Sequence, residues 1–366
     1  RITALKPYHP GKPIEEVKRE LGLTGEIVKL ASNENPLGPS PRALAALRDA
    51  LPGLALYPDG GCHDLRAAVA ARLGVPGDWL VFGNGSDEVI HLLGLTFLQP
   101  GDEVVVGEPT FVLYEAAATL NGARAVKVPL TRPGLVHDTE AMADAFSDRT
   151  RLVFIANPHN PTGTVVSRRD VDALLERLPP RALLVLDEAY VEYVDAPGFP
   201  HALDYIRAGA PVVGLRTFSK MYGLAGLRVG YGVADPAIIR LLNQPRSPFN
   251  VNLAAQIAAT AAVEDDAFVA ETRRVNADGM RALTDAFARL DLPCIPSQAN
   301  FLLVDTRRPC RPVFDGLLRR GVIARTGDIF GLPTWLRVTV GTPAQNARFL
   351  EALEAVLPTV PAENPS

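Results

Sequence analysis

The stretch VVGLRTFSKMYGLAGLRVGYGVA, residues 212–234, decides the fold of this chain. Two short apolar runs, VVGLRTF and RVGYGVA, enclose a glycine-containing segment with one lysine, Lys220. Neither run alternates between apolar and polar residues, and this pattern is typical of strands that are buried on both faces. We therefore predict two strands of a buried sheet, with Lys220 just beyond the end of the first.

The same pattern continues on the N-terminal side of this stretch. From about residue 79 to residue 243, short runs rich in Val, Leu and Ile alternate with helical patterns. The runs are LVFGN, EVVVG, AVKVP, RLVFIAN, ALLVLDEAY, VVGLRTF and RVGYGVA. Strands that alternate with helices favour a mostly parallel sheet between two helical layers. The predicted fold class is therefore α/β, with a three-layer large domain.

The pattern changes after about residue 251. A long helical stretch through residue 290 is followed by FLLVD, a helix near 311–320, WLRVTVG and a helix at 343–357. This order predicts a smaller α+β domain. The expected organisation is an N-terminal arm at 1–35, a large domain at 36–250 and a small C-terminal domain at 251–366. The arm carries prolines and little periodicity, so we expect it to pack on the body or on a partner subunit.

Composition and charge exclude several classes of protein. The 366 residues include 41 acids and 37 Lys and Arg, a balance that favours neither nucleic acid nor a membrane surface as partner. No apolar run approaches the ~20 residues of a membrane-spanning helix. Cys62, Cys294 and Cys310 are scattered without CxxC spacing, and the six histidines are dispersed. We expect a cytoplasmic protein that binds small molecules and no metal.

Four polar motifs each follow a predicted strand. They are GNGSDE at 83–88, NPHNPTG at 157–163, DEAY at 187–190 and TFSK at 217–220. In open parallel sheets, ligands bind beyond the carboxyl ends of the strands. The sequence therefore predicts that these four motifs converge on one site.

The GNGSDE motif leads into an apolar helix. We predict Ser86 as its N-cap, because serine commonly caps helices. The free amides at a helix N-terminus bind phosphate, and we assign this role to the backbone amides of Ser86 and Asp87. An ordinary glycine turn into a capped helix is the alternative.

Asp187 ends a strand that is otherwise apolar, so its buried carboxylate requires a cationic or hydrogen-bonding partner. A structural ion pair with a core arginine is the alternative to a functional role. Tyr190 and Asn160 offer neutral hydrogen bonds from the same end of the sheet. Asn160 in NPTG is also a residue type that is common in turns.

The segment around Lys220 combines three chemical features. A lysine in a desolvated pocket has a lowered pKa, so it attacks an aldehyde to form a Schiff base. Thr217, Ser219 and Arg228 supply the hydroxyls and the guanidinium that a phosphate requires. A phosphate, an aldehyde and a ring nitrogen that faces Asp187 together describe pyridoxal phosphate. The nucleotide-binding pattern GxxxxGK[ST] is absent.

These motifs together resemble the fold-type-I pyridoxal-phosphate aminotransferases, and within that family the histidinol-phosphate aminotransferases. The resemblance covers nearly the whole chain. It is carried by LKPYHPGKPIEEVKRELGL, LASNENPLGPSP, YPDG, GNGSDE, PTFVLYEAAA, NPHNPTG, DEAY, TFSKMYGLAGLRVGYG, PFNVN and WLRVTVGT.

The resemblance implies catalytic roles for Lys220, Asp187 and Tyr190. Lys220 would hold the cofactor covalently and later move the proton between the substrate Cα and the cofactor C4′. Asp187 would keep the pyridine nitrogen protonated, which makes the ring an electron sink. Asn160 and Tyr190 would bind the phenolic oxygen of the cofactor.

The resemblance also implies the rest of the cofactor site. The phosphate would lie among Ser86, Asp87, Thr217, Ser219 and Arg228. Phe111 of PTF would stack on the ring, at a position where some relatives carry tyrosine. Tyr57 of YPD would reach the phosphate from the neighbouring subunit of a homodimer.

For the substrate, the resemblance implies that Arg337 of WLRVTVG binds a carboxylate bidentately. Tyr8 of KPY and Arg325 of ARTGDIF would bind a distal phosphate, with Asn33 of NENP nearby. Glutamate has two carboxylates, whereas histidinol phosphate has a phosphate and none. One anion site would therefore serve both half-reactions.

The implied reaction converts histidinol phosphate and 2-oxoglutarate into imidazole acetol phosphate and glutamate, a step of histidine biosynthesis. Three alternatives remain open. One is an aromatic amino acid aminotransferase. Another is a lyase of the same fold, such as a phosphothreonine decarboxylase or a carbon–sulfur lyase. The third is a non-enzymatic cofactor-binding module, such as the sensor half of a regulator.

Overall fold

A computed structural model describes residues 13–22 and 24–362 of the chain. Within these residues, the helices α1 to α13 are Ile14–Leu21, Pro41–Ala50, His63–Leu73, Ser86–Phe97, Val112–Leu120, Thr139–Asp144, Arg168–Arg177, Ala202–Arg207, Pro236–Leu242, Leu253–Val263, Asp266–Arg289, Cys310–Arg319 and Pro343–Val356. The strands β1 to β13 are Val28–Lys29, Leu80–Gly83, Glu103–Glu108, Arg124–Pro129, Thr150–Ala156, Leu183–Asp187, Val212–Thr217, Gly230–Val233, Cys294–Ile295, Phe301–Asp305, Val322–Ile323, Arg325–Thr326 and Trp335–Thr339.

The central sheet has the strand order β2-β8-β7-β6-β5-β3-β4. Each of its seven strands coincides with one of the predicted apolar runs. Strand β8 is antiparallel to both β2 and β7, whereas the other neighbouring strands pair in parallel. The prediction of a mostly parallel α/β sheet is confirmed. Only the edge strand β4 departs from the predicted burial on both faces, because most of its residues are partly or fully exposed.

Alternate residues of the central strands point into two separate hydrophobic layers. In β5, Val153 and Ile155 belong to the cluster that also contains residues of α3, α8 and α10. Leu152 and Phe154 belong to the cluster that contains residues of α4, α5 and α9. Helices therefore cover both faces of the sheet, which is the predicted three-layer arrangement.

The C-terminal part contains a second, antiparallel sheet with the order β12-β13-β10-β9. Residues of α11, α12 and α13 form one hydrophobic cluster with this sheet. The short strand β1 pairs in parallel with β11, so this part of the predicted arm packs on the C-terminal part. The predicted limits of the three segments stay predictions.

The predicted long helix from residue 251 to residue 290 is in fact two helices, α10 and α11. The break follows Val263, and Asp265 forms the N-cap of α11 by accepting a hydrogen bond from the amide of Phe268. The other carboxylate oxygen of Asp265 accepts a hydrogen bond from Ser40 Oγ at 2.6 Å. An aspartate that caps a new helix start explains the interruption.

Among the residues that the structure describes, no helix is both long enough and apolar enough to cross a membrane.

Candidate active site

The chemical residues meet at one edge of the central sheet. Asn160, Asp187 and Lys220 follow or end the parallel strands β5, β6 and β7, whose carboxyl ends share this edge. Because β8 runs in the opposite direction, its start lies at the same edge, and Arg228 lies two residues before that start. The end of β2 leads into α4 here as well. The four predicted motifs thus reach one region through the topology of the sheet.

Lys220 lies in an environment that disfavours its charge. Its Nζ donates a hydrogen bond to the carbonyl of Ser32 at 3.1 Å and lies 5.8 Å from the ring centroid of Tyr190. Burial, and then the charge of Arg337, lowers the pKa of Lys220 to about 8. A substantial fraction of neutral amine is therefore present near physiological pH, as a nucleophile or general base requires.

Asp187 is buried, with only 6% of its surface exposed. One carboxylate oxygen accepts a hydrogen bond from Tyr114 Oη at 2.7 Å, and the other accepts one from the amide of Ala189 at 3.1 Å. Burial raises the pKa of Asp187 to about 6, although both hydrogen bonds act to lower it. This carboxylate is suited to a cationic partner.

The alternative interpretation, a structural ion pair between Asp187 and a core arginine, is wrong for the described residues. The arginine of this region, Arg216, instead pairs with the neighbouring Glu188 at 2.8 Å. The second carboxylate oxygen of Glu188 accepts a hydrogen bond from the amide of Ala202. Asp187 itself forms no ion pair with a lysine or arginine among the described residues, so it can meet the charged nitrogen of a ligand.

Tyr190 receives two amide donors on its hydroxyl oxygen. Asn33 Nδ2 donates at 2.9 Å and Asn160 Nδ2 at 3.4 Å. Asn160 Oδ1 in turn accepts a hydrogen bond from Arg337 Nη1 at 2.6 Å. The hydroxyl oxygen of Tyr190 thus accepts from both amides, which fixes its position at this edge of the sheet.

Asn33 is almost fully buried, and its side chain is committed to neighbouring groups. Besides donating to Tyr190, it accepts a hydrogen bond from Thr339 Oγ1 at 3.2 Å, and its backbone φ is 56°. Its backbone carbonyl accepts a hydrogen bond from Asn300 Nδ2. These contacts hold Asn33 in place, so that its side-chain amide fixes the position of the Tyr190 hydroxyl. Its predicted position near a substrate phosphate stays a prediction.

The predicted N-cap of α4 is wrong by one residue. Gly85 occupies the N-cap position with φ 82° and ψ 166°, and Ser86 is the first helical residue. A glycine adopts this backbone conformation without steric cost, so the helix begins one residue earlier than a serine cap would place it. The amides of Ser86 and Asp87 remain in the first turn, where helices have donors without helical partners.

Polar groups from β7 and β8 surround this helix start. Arg228 donates from Nη1 to Ser219 Oγ at 3.4 Å and from Nη2 to Asp87 Oδ2 at 3.1 Å. Thr217 Oγ1 donates to Ser219 Oγ at 3.0 Å. Amides, hydroxyls and a guanidinium thus gather around one point, which is the donor set that a phosphate requires.

Two glycines keep this point open. A Cβ on Gly85 would lie 2.6 Å from Arg228 Nη2, and a Cβ on Gly230 would collide with the backbone nitrogen of Ser86. Any larger residue at either position would displace the donors. This donor set and its two glycines fit the phosphate of pyridoxal phosphate. We call them the phosphate cradle, which consists of Gly85, Ser86, Asp87, Thr217, Ser219, Arg228 and Gly230.

Phe111 and Tyr114 lie at the start of α5, on the same side of its first turn. Phe111 is the N-cap residue and is partly exposed, and its ring meets that of Tyr114 edge-on at 5.7 Å. Sequence reasoning selected Phe111 and missed Tyr114. The spacing of the two aromatic residues in PTFVLY could have identified Tyr114, because residues three apart lie on one face of a helix.

Arg337 lies on β13 and is 7% exposed. Its Nη2 donates to the carbonyl of Ala31 at 2.8 Å, and its guanidinium lies over the rings of Phe301 and Phe330. Arg325 on β12 is directly opposite Arg337 in the antiparallel register. Directly opposed residues project from the same face of a sheet, so the side chains of the two arginines leave the small sheet on one face.

The last two predicted site residues are Tyr8 and Tyr57. Tyr8 falls outside the described residues. Tyr57 is 83% exposed and stacks on Phe249 with ring centroids 4.9 Å apart. A surface position is compatible with a side chain that acts in a neighbouring subunit, and the predicted role of Tyr57 stays a prediction.

Among the described residues, no group of three or more His, Cys, Asp or Glu side chains is arranged to hold a metal ion.

Comparison with known proteins identifies close relatives over almost the whole chain. The family Aminotransferase class I and II matches residues 25–353. The histidinol-phosphate aminotransferase of Moorella thermoacetica is 56% identical over 97% of this chain and 92% of its own length. That of Symbiobacterium thermophilum is 50% identical over 97% of both. The crystal structure of the Sinorhizobium meliloti histidinol-phosphate aminotransferase in complex with pyridoxal-5′-phosphate is similar with a TM-score of 0.89, at 29% identity, over 98% of this chain and 96% of that one.

Proposed function

The chain belongs to the class I and II aminotransferases, and from that premise we propose that it is a pyridoxal-phosphate-dependent histidinol-phosphate aminotransferase. It transfers the amino group of histidinol phosphate to 2-oxoglutarate and produces imidazole acetol phosphate and glutamate, a step of histidine biosynthesis. The observation that carries this proposal is the meeting of Lys220, Asp187 and the phosphate cradle at one sheet edge. The relatives at 50–56% identity support the choice of substrate.

The residues of this edge fit pyridoxal phosphate. The phosphate cradle would hold its phosphate, Asp187 would pair with its ring nitrogen, and Phe111 would pack against its ring. Asn160 and Tyr190 would bind its phenolic oxygen, and Lys220 would hold it covalently. When bound, the cofactor supplies an electron sink that stabilises negative charge at the substrate Cα.

Lys220 moves the proton at the substrate Cα. Its pKa of about 8 lies near the working pH, so the amine takes up a proton and gives it back at comparable cost. The partial burial of this edge limits the access of water to the reacting atoms. Arg337 binds the α-carboxylate of glutamate, because its guanidinium offers planar donors that match a carboxylate.

Histidinol phosphate requires a second anion contact farther from the reacting amine. Arg325 lies opposite Arg337 across two antiparallel strands and is the described residue best placed to supply it. We assign the distal phosphate to Arg325, together with Tyr8 from the N-terminal segment. One pair of arginines then serves the two carboxylates of glutamate and the single phosphate of the other substrate.

A homodimer completes this site. Tyr57 is exposed together with other large apolar side chains, namely Leu51, Leu54, Leu56 and Phe249. An apolar surface of this kind favours burial against a second copy of the chain. We propose that Tyr57 crosses this interface to the cofactor phosphate of the partner. We also propose a cytoplasmic location, because Cys62, Cys294 and Cys310 are unpaired, as expected in a reducing compartment.

A substrate panel tests the proposed activity. The holoprotein is assayed for kcat/KM with histidinol phosphate, phenylalanine and phosphothreonine, each with saturating 2-oxoglutarate. We expect histidinol phosphate to be the best amino donor and phosphothreonine to yield no decarboxylated product. A preference for phenylalanine would establish the aromatic aminotransferase alternative, and decarboxylation of phosphothreonine would establish the lyase alternative.

A further inference from the structure

Tyr114 forms a buried hydrogen bond to Asp187 that the proposed reaction has not yet used. The side chain of Tyr114 is 1% exposed, and its hydroxyl donates to a carboxylate oxygen of Asp187 at 2.7 Å. Burial, and then the charge of Asp187, raises the pKa of Tyr114 well above its usual value. The hydroxyl therefore keeps its proton and acts as a donor throughout the physiological pH range.

The ring of Tyr114 is held on two sides. It stacks on Phe154 with centroids 4.5 Å apart and an interplanar angle of 10°, and it meets Phe111 edge-on. Phe154 belongs to the central strand β5, which is fully buried at this point. The hydroxyl is therefore fixed relative to the sheet that carries Asp187, and it cannot turn to another acceptor without breaking this packing.

We propose that Tyr114 is a positioning residue of the reaction: its hydroxyl holds the carboxylate of Asp187 ionised and turned so that its remaining lone pairs face the ring nitrogen of the cofactor. This inference rests on the proposed function, because it assumes that Asp187 meets that nitrogen.

The surroundings of Asp187 show why such a donor is needed. Burial favours the neutral acid, and the negative charges of Asp87 on α4 and of Glu188 beside it in the chain act in the same direction. Tyr114 and the amide of Ala189 oppose them. A neutral Asp187 cannot form the ion pair that keeps the ring nitrogen protonated. Tyr114 is thus the side-chain donor that shifts Asp187 toward its charged form.

The test compares Tyr114→Phe with the matched variant Tyr205→Phe. Tyr205 also donates a hydrogen bond to an aspartate, Asp172 at 2.8 Å, but it lies in the hydrophobic cluster on the opposite face of the sheet. Infrared difference spectra of the cofactor-free protein report the protonation of Asp187 as a function of pH, with Asp187→Asn used to assign the band. Cofactor-free protein makes this readout independent of transamination.

We expect the titration midpoint of Asp187 to rise in Tyr114→Phe by about one to two pH units, since a hydrogen bond to a charged group has about this effect on a pKa. Tyr205→Phe should leave it unchanged. An unchanged midpoint in Tyr114→Phe overturns the proposal. A shifted midpoint in a protein that does not transaminate histidinol phosphate would overturn the proposed substrate and leave the role of Tyr114 standing.

The affinity for pyridoxal phosphate gives a second readout. Its dependence on pH distinguishes the proposed role of Tyr114 from a purely structural one. Tyr114→Phe should weaken pyridoxal phosphate binding about twofold to tenfold near pH 7, because Asp187 must first lose a proton, and the deficit should vanish near pH 9. In the Asp187→Asn background the same substitution should change the affinity little. A loss of affinity that is equal at both pH values, or that persists without the carboxylate, contradicts the proposal.

Discussion

Burial has the largest effect on the pKa of Lys220, and the charge of Arg337 has the next largest; Glu34 and Asp87 act in the opposite direction. Burial removes water from the ammonium group, and Arg337 adds a like charge, and both effects favour the neutral amine. A lysine on the surface would stay protonated until far above neutral pH. At the residue scale, the environment of Lys220 therefore leaves part of its amine neutral at physiological pH, as the proposed nucleophile requires.

The rate at which cofactor-free protein captures pyridoxal phosphate should follow this ionisation. A protonated amine is not nucleophilic, so we expect the rate to rise with pH through a midpoint near 8 and then reach a plateau. Arg337→Gln should move the midpoint upward, because it removes a charge that disfavours protonation of Lys220. Stopped-flow absorbance measures both profiles, and Lys220→Ala serves as the control without capture. A midpoint that Arg337→Gln leaves in place would show that this charge does not act on Lys220.

At this scale, sequence reasoning selected the residues whose chemistry stands out from their surroundings. Asp187 ends an apolar strand, and Lys220 lies among hydroxyls and glycines, so both could be identified from type and position. Tyr114 could not be identified in this way, because a tyrosine in an apolar helix is usually a packing residue. Its role depends on a contact between residues 73 positions apart, which only the fold brings together.

At the scale of elements, the reversed strand β8 and the antiparallel pair β12 and β13 arrange the charges of the site. Because β8 is antiparallel to β7, it begins at the edge where the parallel strands end, and Arg228 lies at that edge just before it. The register of β12 and β13 sets Arg325 against Arg337. Two opposed residues of an antiparallel pair project from the same face of the sheet, so the register places both arginines on one face.

Arg325→Gln should separate the two kinds of substrate. A charge-assisted hydrogen bond contributes about 1.5–3 kcal/mol, so kcat/KM for histidinol phosphate should fall by roughly tenfold to a hundredfold. The kcat/KM for phenylalanine, which has no phosphate, should fall much less. Arg319→Gln, at an exposed position of α12, is the matched control and should change neither value. Equal losses for both substrates would assign Arg325 to carboxylate binding or to packing.

Elements were predictable where a pattern was long and uniform. All seven runs of the central sheet are strands, because continuous apolar sequence has few other stable arrangements. The errors lie at element ends. Gly85 moved the start of α4 by one residue, and the cap formed by Asp265 divided the predicted long helix. Both depend on local backbone geometry and on partners such as Ser40, which lies 225 positions away in the chain.

At the scale of the whole molecule, we propose that two chains share one site. Lys220, Asp187 and the phosphate cradle come from one chain, whereas the exposed Tyr57 is predicted to act in the other. The sequence predicted the fold class, because it follows from the succession of strands and helices. The proposed interface depends on surface shape, which the succession of elements does not encode.

Mixing two defective variants tests the shared site. Subunit exchange between Lys220→Ala and Tyr57→Phe should produce heterodimers with one intact site, which combines Lys220 of one chain with Tyr57 of the other. We expect activity to rise above that of the unmixed Tyr57→Phe protein. Mixing Lys220→Ala with Asp187→Asn is the control and should restore nothing, because both residues serve the site from the same chain. An active monomer, or activity unchanged by exchange with Tyr57→Phe, would contradict the proposal.

The most direct test of the proposed function is a single half-reaction. Purified holoprotein is mixed with a stoichiometric amount of histidinol phosphate without any 2-oxoglutarate, and the absorbance of the bound cofactor is followed. We predict that the visible band disappears, that one equivalent of imidazole acetol phosphate forms per site, and that the band returns when 2-oxoglutarate is added. A band that persists, or one that disappears with phenylalanine but not with histidinol phosphate, would contradict the proposal.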